Sequence, residues 1–509
     1  MSEISLIKGR DMYAIGIDVG TTNCKVCLYR IADLHLVKKH SFITPKNITE
    51  YGSDFDMATL WQGLIAGLHD VAHAVSDPQN IVSVSVASVG EAGVLLDAAD
   101  NIIGPVMTWY DTRTQPQLAR VVSQLGDRRL YEITGIPAHS NYSLNKILWL
   151  MEHNKAQQPA SWLCMAEYIA FCLSGERRAE YSLASRTLAF DIARGDWSAE
   201  IIAAMGLPAT LFSPLTVAGK PTGELLATVS EATGIPCSAK VSIAGHDHMV
   251  GAVAVGVTEP TQILNSTGTT EGLLVVGNQP SLTEGFFRSR LSNGRHVLPD
   301  AATLYASLPS AGYAIEWFSN LFGLTRADFT SMTQWLMSKG AAESPTDSFL
   351  IPHLRGSGPP QRSIHAKGLI YGLADHTDAE GFLKAVFHGL CYELRHLLET
   401  CESLTGNHWK SVLVIGAACQ NPYWLQLKAT ILRREIVACQ IPEAVSRGAA
   451  LLGARGAGFE PHVAALAADS LQRYQPDEPS AAAFDRVYRQ IYQPLFASKI
   501  HIENQINRT

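Results

Sequence analysis

The sequence predicts a mixed α/β protein built as two duplicated halves with a ligand cleft between them. Three observations carry that prediction. A Gly-Thr-Thr triplet set between strand-like runs occurs twice, at residues 20–22 and 268–270. Extended runs alternate with helical patterns in both halves, and 509 residues exceed what one compact domain of ordinary size needs. Recurrence of one device at close to half the chain length is simplest as a duplication. The boundary is expected near residues 250–260, giving halves 1–255 and 256–509.

Taken in order, the apolar run from Tyr13 to Ile17 ends at Asp18, Gly20-Thr21-Thr22-Asn23 makes a turn, and Val26 to Tyr29 resumes strand-like composition. This predicts a β-hairpin with a polar tip. Ile81 to Ala87, Gly93 to Leu96 and Val241 to Ala244 read as strands, while Ile147 to Glu152 and Trp162 to Leu173 read as helices. Gln262 to Ser266 and Gly272 to Val276 flank the second triplet and repeat the hairpin. From Gly381 to Thr405 apolar residues recur with the helical period, predicting an amphipathic helix against a core. Lys410 to Ile415 then reads as a strand entering Gly416-Ala417-Ala418, with a helix beginning at Pro422, where proline suits a first turn. Pro352 to Ser363 reads as irregular.

Composition narrows the function. Forty Lys and Arg against 47 Asp and Glu leave a net charge of −7, so no broad basic surface invites nucleic acid. Apolar residues at 47% and charged residues at 17% argue against long disorder. The N-terminal residues lack the pattern of a secretory signal, and the longest apolar stretch, Met249 to Val257, falls short of the ~20 residues that span a bilayer. A cytoplasmic enzyme without membrane partners is expected. Nine scattered cysteines are expected to be free thiols. Cys24 and Cys27 lie in a strand, where their spacing puts them on opposite faces.

A turn rich in Gly and Thr lets backbone N–H groups and hydroxyls converge on a phosphate. Asp18 before the first turn suits Mg²⁺ held through water, and Lys25 after it suits phosphoryl charge; the competing reading is an ordinary capped turn. Asp247, in Gly245-His246-Asp247-His248, stands where a strand gives way to a helix. It reads either as an N-cap or as a general base for a hydroxyl attacking a γ-phosphorus. The flanking histidines do not present a tetrahedral metal site. Trp109, Asp111 and Arg113 suit a polyhydroxylated ligand, or else a surface ion pair.

Together these motifs resemble the FGGY family of carbohydrate kinases, within the actin-like ATPase superfamily, from about Tyr13 to Gly458. Asp18 to Lys25 match its first phosphate motif and Ser266 to Thr270 its second. Gly245-His246-Asp247 before Gly251-Ala252 matches the segment of the catalytic aspartate. Trp109, Asp111 and Arg113 match the W-x-D-x-R pattern, Lys146 and Trp149 the K-x-x-W signature, and Tyr168 with Leu173 to Glu176 the helix that follows.

The resemblance implies two ribonuclease-H-like domains closing on ATP and a sugar. Gly20, Thr21, Thr22, Lys25, Gly268, Thr269 and Thr270 would hold phosphates, Gly312 and Glu316 the ribose, and Gly416, Ala417, Ala418 and Asn421 the adenosine. Asp247 would be the base, Asp18 the Mg²⁺ residue through water, and Glu91, Trp109, Asp111, Arg113 and Asp247 the substrate contacts. The overall pattern is nearest the xylulose kinase branch, so D-xylulose or a related ketose is the expected acceptor. Glu91 stands where that branch carries histidine and glycerol kinases carry glutamate, which keeps a polyol such as glycerol or erythritol as the alternative. Gly-Ala-Ala at 416–418, where three glycines are usual, motivates a third reading, an inactive sugar- or ATP-binding regulator. Ser357-Gly358 replaces an expected Glu-Arg pair, and Gly381 and His388 replace polar or acidic residues. A homodimer is an arrangement the family often adopts.

Overall fold

A computed structural model describes residues 11–338, 345–346, 348–461 and 470–506. The first apolar run forms the strand Tyr13–Val19, which turns antiparallel into Asn23–Arg30 and then His35–Ile43. On its other side Ile81–Ser88 and then Lys240–His246 add in parallel, and Pro221–Glu224 closes that edge antiparallel. The second half repeats the plan. Ile263–Thr267 turns antiparallel into Glu271–Gly277 and on to Ala302–Leu308, while Ser411–Gly416 and Glu435–Cys439 add in parallel on the other side. Ser292–Arg295 and Leu471–Tyr474 extend its two edges. The five central strands therefore share order and pairing sense in both sheets, as two ribonuclease-H-like domains require, and the second sheet adds Ser292–Arg295 at one edge.

Burial explains why these runs become these strands. Ile81–Ser88 lies between two parallel neighbours and is almost wholly buried, so its sequence is nearly continuous in small and apolar residues. His35–Ile43 ends the sheet and alternates between half-buried and exposed residues. The predicted amphipathic helix spans Ala379–Thr405. Asp378 caps its start by accepting from the Gly381 N–H, and Gly406 ends it at a φ of 73°.

Two helices join the sheets. Asp247–Ala254 follows the last parallel strand of the first sheet, and Ala444–Gly456, from late in the chain, lies against Tyr13–Val19 and Ile81–Ser88. A Cβ on Gly16 would overlap the Ser446 carbonyl, and one on Gly448 the Val250 carbonyl, so bare backbone sets this close approach. The apolar core here draws Ala14 and Ala244 from one sheet, Leu264 and Leu274 from the other, and Val250 and Ala449 from the two helices.

The expected helix from Trp162 to Leu173 is a strand, Ser161–Cys164, followed by a helix, Met165–Ser174. The strand pairs antiparallel with Gly93–Leu96, and the helix begins where Glu167 accepts from the Cys164 N–H at 2.7 Å. Segments buried all round read as one apolar run, so periodicity does not divide them. Cys24 and Cys27 pack into different cores on opposite faces of their strand, and all nine cysteines are free. Among the described residues, no helix is long and apolar enough to cross a membrane.

Candidate active site

Asp18 and Lys25 sit opposite each other in the first hairpin, with Thr21 and Thr22 at the tip and Gly20 N–H closing the turn on the Asn23 carbonyl at 3.2 Å. The tip is held from outside. Thr44 Oγ1 donates to the Gly20 carbonyl at 2.7 Å, Lys46 Nζ to the Thr21 carbonyl at 2.6 Å, and Trp109 Nε1 to Thr21 Oγ1 at 2.9 Å. Trp109 thus buttresses the first Gly-Thr-Thr turn. Lys25 Nζ lies 3.5 Å from Asp18 Oδ2 and 2.9 Å from Glu443 Oε2, so its charge is shared between the hairpin and the second half. Burial pushes the Asp18 carboxyl up to about 7, with Lys25 opposing the rise and Asp247 adding to it.

Asp247 is the first residue of its helix, and the N-cap position belongs to His246. The capping alternative for Asp247 therefore does not describe the structure. Its Oδ1 accepts from the His248 N–H at 2.6 Å and lies 2.9 Å from His246 Nδ1. Burial alone would raise its pKa; the neighbouring His248 and His246 outweigh burial and hold the carboxyl down to about 2. His248 Nε2 shares a 3.1 Å hydrogen bond with the hydroxyl of Tyr305, which comes from the second sheet. The Tyr305 ring also lies over Gly272, where an added Cβ would meet it at 3.0 Å, just beyond the second Gly-Thr-Thr turn. Asp247 is thereby linked through His248 and Tyr305 to the flank of the second hairpin.

The residues expected at the nucleotide gather around that second hairpin. Gly312 N–H donates to the Gly268 carbonyl at 3.0 Å and Tyr313 N–H to the Thr269 carbonyl at 3.1 Å, while Gly268 N–H closes the tip on Thr270 at 2.9 Å. Gly416 pairs with Thr267, has a φ of 92°, and leaves no room for a Cβ against the Thr267 carbonyl. Ala417 and Ala418 follow in a short turn, the first exposed and the second buried. Asn421 Oδ1 caps the helix Pro422–Leu432 by accepting from Trp424 N–H at 3.1 Å. Glu316 stands exposed one turn along the helix Gly312–Leu321. Beneath the hairpin, the fully buried Lys428 donates to Asn265 Oδ1 at 2.7 Å, Thr267 Oγ1 at 3.0 Å and Glu271 Oε1 at 2.5 Å.

Among the residues expected at the acceptor, Arg113 Nε and Nη2 bind Asp111 Oδ1 and Oδ2 at 2.9 and 2.8 Å, and Nη2 also reaches Asp54 Oδ1 at 2.7 Å. Asp111 is 1% exposed, so this is a buried cluster and not a surface pair. Glu91, at a φ of 62°, is buried against Arg186, whose Nε and Nη2 both reach its Oε1 at 2.8 and 2.6 Å. Burial opposes ionisation of Glu91, but Arg186 and His246 together hold its carboxyl below the ordinary range. Lys146 is also buried, which lowers its ammonium to about 8 against the attraction of Glu91 and Asp111. Sequence reasoning missed Arg186, Tyr305, Glu443 and Lys428. None lies in a short motif used above, and only the folded topology brings each of them to the site.

Mg²⁺ fits the first hairpin on chemical grounds. Asp18 is a buried carboxylate whose ionisation is opposed by burial and, to a smaller degree, by the charge of Asp247, an arrangement that a cation relieves. Among the described residues no group of three or more His, Cys, Asp or Glu is arranged to hold a metal ion.

Fold and site together define a two-domain phosphotransferase of the actin-like ATPase class. Residues 13–254 match the N-terminal domain of the FGGY family of carbohydrate kinases and residues 263–457 its C-terminal domain, and the chain belongs to that family. It is an ATP-dependent sugar kinase. Over 459 residues it is 27% identical to the xylulose kinase of Bacillus subtilis (strain 168), covering 88% of this chain and 89% of that one. Its fold is similar to xylulose kinase from Rhodospirillum rubrum, with a TM-score of 0.86, 22% identity, and coverage of 97% of this chain and 100% of the other. Plasmodium falciparum glycerol kinase with ADP has the same fold, at a TM-score of 0.83 and 15% identity, covering 95% of this chain and 98% of the other.

Proposed function

We propose that the protein transfers the γ-phosphate of ATP to a hydroxyl of a small ketose, D-xylulose or a related sugar, in the cytoplasm. The observation that carries this reading is the placement of Asp247 at a helix start, where its charge acts on Asp18 below the first Gly-Thr-Thr turn and its neighbour His248 is bonded to Tyr305 beside the second. Asp247 accepts the acceptor proton late in transfer. Ionised well below neutral pH, it needs positioning more than a tuned pKa. The two turns, with Gly20, Thr21, Thr22, Gly268, Thr269 and Thr270, hold the phosphates, Lys25 offsets their charge, and residues 312, 316 and 416–421 receive the nucleoside. Mg²⁺ at Asp18, when bound, neutralises phosphoryl charge. The working halves are 1–255 and 256–509, and two chains pair as a homodimer. Likeness to xylulose kinases supports the ketose acceptor.

Glu91 favours one second reading, a polyol acceptor, because its carboxylate suits hydroxyl donors irrespective of a carbonyl. A coupled ADP-release screen over pentuloses, hexuloses, aldoses and polyols tests both. Stimulation greatest with a ketose supports the first reading, and stimulation by polyols alone replaces it with the second.

A further inference from the structure

A cavity of about 290 Å³ opens between the two halves, and none of the residues assigned above to nucleotide, metal or acceptor lines it. Glu180 and Arg194 come from the first half, and Arg295, His296 and Asp300 from the second. Glu180 is 0% exposed and His296 3%. Three of these side chains carry a polar atom that is closed to water and has no hydrogen-bond partner among the described residues: Glu180 Oε1, Arg295 Nε and His296 Nε2. Each such atom costs about 1–3 kcal/mol, and three on residues of one cavity mark a place where a ligand supplies what the protein does not.

The other atoms of these groups are fixed. Glu180 Oε2 accepts from the Ser182 N–H, the Ser182 hydroxyl and the Leu183 N–H. His296 Nδ1 accepts from the Leu298 N–H at 3.1 Å, and burial lowers the ring's pKa to about 4, so the neutral ring carries its proton on Nε2. Arg295 Nη2 donates to the Ile192 carbonyl at 3.0 Å. Two donors, one of them on a cation, and one carboxylate oxygen are left over. Burial raises the Glu180 carboxyl to about 7, against its bonds to Ser182 and Leu183 and the nearby His246. Glu167 also lies beside it, accepting from the Glu180 N–H at 2.8 Å. Of the charged residues on the cavity, the exposed Asp300 alone opposes Arg194 and Arg295 while Glu180 is protonated.

We propose that this cavity is a second ligand site, for a phosphate group that carries one proton: inorganic phosphate or a phosphate monoester. Phosphate oxygens accept from Arg295 Nε and His296 Nε2, Arg194 adds positive charge, and the proton is shared with Glu180 Oε1. A phosphate loses its second proton near pH ~6, close enough to the Glu180 range for that sharing. Sulfate carries no proton at neutral pH. Above pH ~7 it can bind only if Glu180 takes a proton from water, whereas phosphate brings its own. The ligand bridges the halves, and the Ser182 hydroxyl that donates to Glu180 also accepts from the His246 N–H at 2.9 Å, so the site reaches the residue before Asp247 through two hydrogen bonds.

The test is calorimetric titration of inorganic phosphate and of sulfate, at about pH 8.5, into protein saturated with Mg²⁺ and a non-hydrolysable ATP analogue so that the two Gly-Thr-Thr turns are already filled. Wild type should bind a single phosphate, and sulfate about tenfold or more weakly. In Glu180→Gln the carboxamide oxygen keeps the bonds to Ser182 and Leu183 and its NH₂ faces the ligand, so sulfate should bind as well as phosphate. Arg194→Ala, a change at an exposed residue, should weaken both anions several-fold. Adding the sugar phosphate product separates the two sources: displacement of bound phosphate assigns the site to a monoester, and its absence assigns it to the free anion. No phosphate binding, sulfate equal to phosphate in wild type, or an unchanged ratio of the two in Glu180→Gln overturns the proposal. Binding of the ATP analogue reports on the kinase reading separately, whichever way the anions behave.

Discussion

Tyr305, on a strand of the second sheet, shares a 3.1 Å hydrogen bond with Nε2 of His248, the residue after Asp247. The base proposed for the reaction therefore belongs to one half and its orientation depends on the other. Tyr305→Phe keeps the ring that lies over Gly272 and removes only the bond. With a half-buried imidazole nitrogen left unpaired, a stability loss of about 1 kcal/mol is expected, together with a lower kcat and little change in KM for ATP. Denaturant unfolding and steady-state kinetics check the two effects separately.

The pH response of Asp18 follows from its burial. Its folded pKa, about 7, lies above the ordinary carboxylate value, so from about pH 4 to 7 the folded state binds more protons at this site than the unfolded chain. Stability from this group is thus greatest in acid and declines as pH rises toward 7, the reverse of a salt-bridged carboxylate. In the absence of Mg²⁺, Asp18→Asn should be more stable than wild type at pH 8 and nearly equal to it at pH 4. The Mg²⁺ concentration for half-maximal turnover of wild type should rise as pH falls below 7. Thermal unfolding across pH and a Mg²⁺ titration read these outcomes.

Lys428 and Glu271 form a fully buried pair under the second Gly-Thr-Thr turn. Removing one partner leaves the other charge uncompensated, so Lys428→Met should cost about 3–5 kcal/mol, and pairing it with Glu271→Leu should recover part of that. Because Thr267 and Glu271 flank the turn, surviving Lys428→Met protein should also show a raised KM for ATP. Urea unfolding of the single and double variants gives the first result and nucleotide titration the second.

Gly16 faces the Ser446 carbonyl with no room for a methyl. Gly16→Ala must push the helix Ala444–Gly456 off the first sheet, costing about 1–3 kcal/mol, and Glu443 at the head of that helix moves with it away from Lys25. A fall in melting temperature accompanied by weaker nucleotide binding is the expected pair of observations.

The sequence carried the plan of the molecule unusually far because the two hairpins are local. Each is an apolar run, a Gly-Thr-Thr tip and a second run, and their period and turn residues show without knowledge of long-range contacts. The long helix at Ala379–Thr405 was legible for the same reason. Trp162 was misread because a strand and helix buried on every side leave no periodic contrast between them. Asp111 and Arg113 were recognised as a pair, but only the packing of Asp54 against them reveals that they are interior. Arg186 had no local signal at all: the serine, alanine and threonine around it mark neither a turn nor a face, and it acquires meaning when Glu91, far earlier in the chain, folds against it.

Phosphoryl transfer by Asp247→Asn tests most directly whether the Asp247 carboxylate acts on the acceptor hydroxyl. Single-turnover transfer from ATP to the preferred sugar, with Mg²⁺ present, should slow by about 10²- to 10⁴-fold, while the thermal shift produced by ATP stays that of wild type. Transfer at near wild-type rate by a folded Asp247→Asn protein would contradict it.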